Sequence, residues 1–129
     1  MNNIKNNHNK MTSKNILIVD DVYINRILIM EILKKIGDFN FVESHNGKDA
    51  IEKLNSDIDL ILMDIMMPIM GGIESTEYIR NKLKLTIPII AVTAYNDYEK
   101  EINKNNNFNE IIIKPVDFNT FSELIKKYL

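Results

Sequence analysis

Cysteine is absent from all 129 residues. That removes disulfides, thiolate nucleophiles and Cys-based zinc sites, and an intracellular setting is the expectation that follows. Histidine is nearly absent, with only His8 and His45, so a His-rich metal site is not expected. An excess of positive charge is also missing: 16 Lys and Arg face 18 Asp and Glu, for a net charge of -2. Nothing in that balance favours a nucleic-acid partner. No apolar run approaches the roughly 20 residues that span a bilayer, and residues 1–14 lack the apolar core of a signal peptide. Neither membrane insertion nor secretion is expected.

What is present, 45% hydrophobic and 26% charged residues over 129 positions, suits one globular domain of ordinary size. Residues 1–14 are Asn-rich with little apolar surface, and are expected to form a disordered tail ahead of a domain over 15–129. From Asn15 onward, short β-branched runs alternate with longer amphipathic stretches. The runs Asn15–Asp20, Phe39–Ser44, Ile58–Met63, Ile87–Val92 and Glu110–Ile113 predict five strands. Helical spacing is shown by Ile24, Leu28, Ile32 and Leu33, by Ala50, Ile51 and Leu54, by Ile73, Tyr78 and Ile79, and by Phe121, Leu124, Ile125 and Tyr128. A weaker segment, Asp97–Lys104, has only Tyr98 and Ile102 as large apolar residues and predicts the least stable, most mobile helix. Five β-α units of this size imply an α/β sandwich with a parallel sheet and right-handed crossovers.

Sites in such sheets lie beyond the C-terminal strand ends, where strand order reverses. The polar residues at those ends are Asp20, Asp21, Asp64, Thr93 and Lys114. Converging carboxylates repel one another unless a cation sits among them. With hard oxygen donors and no His or Cys beside them, the expected cation is Mg²⁺ or Mn²⁺. Taken singly, each residue has a plainer use. Asp20 and Asp21 could cap a helix, Asp64 could cap a turn, and Thr93 and Lys114 could be solvated. A carboxylate beside a metal can also act as a nucleophile and form an aspartyl phosphate. The shared location of all five at strand ends favours that chemistry.

The segments ILIVDD (Ile16–Asp21), MDIMMPIMGG (Met63–Gly72), PIIAVTA (Pro88–Ala94) and KP (Lys114–Pro115) occur in an order and spacing that resemble the receiver domain of two-component response regulators. The resemblance covers Asn15–Leu129, and extends to Asn46-Gly47 opening the second helix and to Asn25-Arg26, a pair similar to that in receivers of hybrid sensor kinases. It implies a doubly wound, flavodoxin-like sheet of strand order 2-1-3-4-5. It further implies that Asp64 accepts a phosphoryl group from a phosphohistidine on a histidine kinase or histidine phosphotransfer protein. Asp20, Asp21, Asp64 and the backbone carbonyl of Met66 would hold Mg²⁺, Lys114 would pair with the phosphoryl oxygens, and Thr93 would swing toward them. A cis bond would precede Pro115.

Some positions depart from the pattern. Gly71 stands where Asp is frequent, which should loosen the loop after Asp64. Asn107 replaces a frequent Gly and is the candidate for a left-handed backbone. Ile111 stands where an aromatic switch residue is common, so output is expected to pass through Tyr95 and the helix after it. Met66 and Tyr95, flanking the acceptor, should slow hydrolysis of the phosphoryl group. The Met66, Met67 and Met70 group suits loop packing, and His8 and His45 are expected in solvent.

The expected function is thus a cytoplasmic phosphoacceptor in a His-to-Asp relay, assisting its own phosphorylation and dephosphorylation without being an enzyme. With no effector domain after Tyr128, it would be a single-domain regulator with a phosphorylation-dependent target, or a relay intermediate. A hybrid-kinase receiver is the alternative. An aspartyl-phosphate phosphatase of the haloacid-dehalogenase type would need a second Asp where Met66 stands. A flavin carrier would need a Ser/Thr/Gly loop where Asp20-Asp21-Val22 stands.

Overall fold

The computed structural model describes residues 13–94, 99–104 and 106–129. Five strands, β1 (Lys14–Val19), β2 (Phe39–Ser44), β3 (Leu60–Met63), β4 (Ile89–Thr93) and β5 (Glu110–Ile113), alternate with helices α1 (Tyr23–Ile36), α2 (Gly47–Lys53), α3 (Gly72–Asn81), α4 (Glu99–Asn103) and α5 (Phe118–Tyr128). The sheet is parallel throughout, in the order β2-β1-β3-β4-β5. This is the doubly wound arrangement expected.

Side-chain alternation along the strands divides the core in two. Ile16, Ile18, Leu60, Leu62, Ile90, Val92 and Ile112 face α1 and α5, where they meet Ile29, Met30, Leu33, Phe121 and Ile125. Leu17, Val19, Ile61, Met63, Ile89 and Ala91 face the other layer, meeting Ala50 of α2, Ile79 of α3 and Ile102 of α4. Central strands covered on both faces explain why β3 reads as an uninterrupted apolar run.

Several boundaries differ from the expected ones, each for a local reason. β1 starts at Lys14, which pairs with Phe39, so ordered backbone reaches into the segment expected as tail. β3 begins only at Leu60, because the Asp59 carboxylate accepts the Asn15 N–H (2.8 Å) and holds the approach to the strand. β4 starts after Pro88, which has no N–H to give to a ladder, and extends to Thr93. The left-handed residue before β5 is Asn106, with φ 54°, not Asn107. Tyr95 and Tyr98 lie outside the described residues, as does His8.

α1 buries a different face from the expected one. Its buried residues are Ile29, Met30 and Leu33, whereas Ile24 and Leu28 are 57% and 54% exposed. At about 100° per residue, Ile24 and Leu28 fall on the opposite side of the helix from that buried face. α1 therefore carries two apolar faces, one of which the core uses. Tyr78 on α3 is likewise exposed, and the inner positions there are Ser75, Thr76 and Ile79.

Two main-chain hydrogen bonds tie the loop after β3. Gly72 N–H donates to the Ile65 carbonyl (2.9 Å) and Gly47 N–H to the Met70 carbonyl (2.8 Å). A Cβ on Gly72 would overlap the Asp64 carbonyl oxygen, so α3 can begin directly behind Asp64 only if this residue has no side chain. Gly72→Ala is expected to lower stability by about 1–3 kcal/mol through forced backbone movement. Gly37→Ala, where the added methyl meets only the movable ring of Phe39, is expected to cost less than about 1 kcal/mol. Urea midpoints of the two variants check the contrast.

Candidate functional site

β1 lies between β2 and β3, so strand order reverses there and a crevice opens beyond the strand ends. Asp20 and Asp64 occupy it from adjacent strands. Asp20 is 1% exposed and Asp64 8%. One oxygen each of Asp20, Asp21 and Asp64 lie within 4.8 Å of one another, the only such cluster of potential ligands among the described residues.

Neither acid of the Asp20-Asp21 pair caps α1. The N-cap position belongs to Val22 and carries no side-chain cap bond. Instead Asp20 is held from all sides. Its N–H donates to the Ser44 carbonyl (3.0 Å), and its Oδ1 accepts the Val22 N–H (2.9 Å). Its Oδ2 accepts from Lys114 Nζ (2.9 Å), and its main-chain carbonyl accepts from Arg26 Nη1 (2.7 Å). Asp64 is placed by its N–H to the Val19 carbonyl (2.9 Å) and by the Ile65 N–H on its Oδ1 (2.8 Å).

Lys114 comes from the far edge of the sheet. Its N–H donates to the Thr93 carbonyl (2.8 Å), and the cis bond to Pro115 is present as expected. Its ammonium lies 2.9 Å from Asp20 and 3.7 Å from Asp64. Thr93 is buried at the end of β4, two strands from Asp20. Met66 follows on the loop after Asp64 and is 51% exposed, while Met67 packs into the core and Ile111 fills the same layer. His45 is exposed, 3.3 Å from Asp49.

One ammonium cannot neutralise three carboxylates. Burial, reinforced by the charge of Asp20, pushes the Asp64 carboxyl up to about 6, despite Lys114 and the Ile65 N–H acting the other way. A site of oxygen donors with surplus negative charge suits a hard divalent ion such as Mg²⁺. The expected ligand carboxylates are thus together, and their chemistry fits the ion.

Residues 16–126 match the family profile of the response regulator receiver domain. The chain belongs to the response-regulator receiver family. This receiver is 33% identical over 119 residues to the polar-differentiation response regulator DivK of Brucella anthropi, covering 90% of this chain and 96% of DivK. It is 31% identical over 119 residues to the autoinducer 1 sensor kinase/phosphatase LuxN of Vibrio campbellii, covering 91% of this chain but only 14% of LuxN. Among solved structures, it is similar to response regulator TrrA of Thermotoga maritima in complex with Mg²⁺-BeF. There the TM-score is 0.78, with 34% identity over 90% of this chain and 99% of the other. Among the described residues, no helix of the receiver is long and apolar enough to cross a membrane.

Sequence reasoning missed how Asp20 is held. Asn25-Arg26 stood out only as a resemblance, and nothing in the spacing linked Arg26 to Glu43 or to the Asp20 carbonyl.

The raised Asp64 carboxyl has a consequence for the metal-free fold. The folded protein holds this proton up to about pH 6, whereas the unfolded chain releases it near about pH 4. Ionising Asp64 between those values therefore lowers stability, by at most about 3 kcal/mol. Asp64→Asn is expected to stabilise the metal-free protein by about 1–3 kcal/mol at pH 7, with the gain vanishing below about pH 4. Urea titrations with chelator across that range measure it. A gain that persists unchanged at low pH contradicts the assignment.

Proposed function

We propose that this receiver accepts a phosphoryl group onto Asp64 from a phosphohistidine, in a Mg²⁺-dependent His-to-Asp relay. The observation that carries the reading is the meeting of Asp20, Asp21 and Asp64 within 4.8 Å, with Lys114 reaching in from β5. An Asp64 oxygen attacks phosphorus. The O–P bond forms as the N–P bond of the donor breaks, and the bonding pair stays on the imidazole nitrogen, which takes up a proton. When bound, Mg²⁺ supplies positive charge opposite the phosphoryl oxygens. The residues that would hold it are Asp20, Asp21 and Asp64, joined by the main-chain carbonyl of Met66. Lys114 exchanges Asp20 for the phosphoryl group, a charge-assisted contact in a partly enclosed site, and Thr93 supplies a hydroxyl donor. The chain acts as phosphoacceptor assisting its own phosphorylation and dephosphorylation, not as an enzyme turning over a separate substrate. A cytoplasmic place accompanies this role.

The donor is a histidine kinase or histidine phosphotransfer protein. The unused apolar face of α1 supports such a docking partner. Leu28 and Ile32 join Asn25, Pro115 and Val116 around a groove of about 470 Å³ that also reaches Lys114. A helix laid along this groove can present a histidine toward the crevice. Similarity covering 96% of the response regulator DivK favours a single-domain regulator or relay intermediate. The Asn25-Arg26 pair and the LuxN likeness favour a hybrid-kinase receiver as second reading.

Incubation with Mg²⁺ and acetyl phosphate, followed by intact mass, tests the acceptor. The expected result is one phosphoryl adduct that disappears with chelator and with Asp64→Asn. An Asp64→Asn protein labelled like the wild type overturns the reading. Docking is tested separately by Leu28→Asp, which is expected to slow transfer from a phosphorylated histidine phosphotransfer protein at least about tenfold by burying a charge in the contact. Labelling by acetyl phosphate should be unchanged in that variant.

A further inference from the structure

Arg26 occupies an unfavourable place for a cation. It lies in the first turn of α1, where the helix dipole disfavours positive charge, and no acidic residue accompanies it in that turn. It also stands beside a cluster suited to a divalent cation, which its charge would repel. Even so, its side chain is only 14% exposed and is braced from three directions. Nε donates to the Glu43 carboxylate on β2 (2.9 Å), and Nη1 donates to the Asp20 carbonyl (2.7 Å). The guanidinium lies 5.5 Å from the centre of the Tyr23 ring. A planar fork that spans two acceptors in fixed geometry is something a lysine cannot reproduce.

The object so held is the peptide joining Asp20 to Asp21. Four contacts fix Asp20, and three of them come from main-chain N–H or C=O groups or from Lys114. In the reaction proposed above, Lys114 leaves Asp20 for the phosphoryl group. Among the described residues, Arg26 then remains as the one side-chain donor to Asp20. Glu43 is itself steadied, because Lys53 Nζ donates to its carbonyl and the next residue, Ser44, accepts the Asp20 N–H.

We propose that Arg26 is a positioning residue for the metal site: by clamping the Asp20 carbonyl to Glu43, it keeps the carboxylates of Asp20 and Asp21 turned toward Asp64 and so sets the affinity of the site for Mg²⁺. The inference rests on the reading of these carboxylates as Mg²⁺ ligands. Arg26 itself touches no ion. Charge alone and positioning make opposite demands. Removing a nearby cation by Coulomb's law tightens cation binding, whereas releasing the Asp20-Asp21 peptide weakens it.

The test uses the full, unphosphorylated chain with Mg²⁺ titrated by calorimetry, and Mn²⁺ followed by electron paramagnetic resonance as a second readout. Arg26→Met is expected to weaken both ions about 10- to 100-fold, the usual cost of losing an outer-shell support. Arg26→Lys keeps the charge but reaches one acceptor at a time, and is expected to fall between wild type and Arg26→Met. It replaces Arg26→Met as the deciding variant if circular dichroism shows that the latter does not fold. Ile125→Val controls for general loosening, since Ile125 lies on α5 beside Lys14 and Leu129, at the opposite end of the sheet. Its affinity is expected to match wild type. Arg26→Met or Arg26→Lys binding as tightly as wild type, or Ile125→Val losing as much as they do, overturns the inference alone. A wild-type protein that binds neither ion overturns both the inference and the metal reading beneath it.

Discussion

Repulsion between carboxylates at neighbouring strand ends is the force the rest of the structure has to contain. Asp20 and Asp64 are both buried and both point into one crevice, with Asp21 beside them. A flexible chain would let such groups drift apart into water. Here β1 and β3 are locked side by side in register from Ile16 to Val19, and each acid follows its strand without slack. Two apolar layers pin those strands from above and below. The core thus does more than stabilise the fold, since it keeps negative charges together that would otherwise separate.

Relief of that repulsion comes from distant parts of the chain. Lys114 arrives from β5, 94 residues after Asp20 in sequence, and bonds it directly. Its path depends on strand order, because β4 and β5 must follow β3 on one side of β1 while β2 lies on the other. Arg26 and Glu43 secure the opposite side. The site is therefore gripped from β2 and from β5, the two sheet edges, with the acids at the reversal between them. The ammonium only partly offsets the charge, and the Asp64 carboxyl remains raised. A divalent ion and a phosphoryl group answer that same electrostatic imbalance.

The outer face of α1 is apolar as well. A helix apolar on one side satisfies the core, but α1 continues its apolar character around to Ile24 and Leu28. Read in one dimension, that row looked like the buried stripe, because spacing alone does not say which of two apolar faces meets the sheet. Only the packing against Ile16, Ile18, Leu60 and Leu62 decides it. Met66 and Met67 divide in the same way, one outward and one into the core.

The amino-acid order alone determined the five β-α units, the layered α/β class, and the placement of Asp20, Asp21, Asp64, Thr93 and Lys114 at strand ends. It could do so because strand and helix periods are local properties, and because motif spacing survives in one dimension. Asn46, marked by the family resemblance as opening the second helix, caps it, since its side chain accepts the Asp49 N–H three residues on. Tertiary structure alone decided which face of α1 is buried, which Asn takes the left-handed turn, and how tightly the Gly72 loop is held. It also decided that Arg26 reaches Glu43 and the Asp20 carbonyl. Those outcomes depend on contacts between segments far apart in the chain, and hydrogen-bond partners brought together by sheet order leave no periodic trace in the residues that make them.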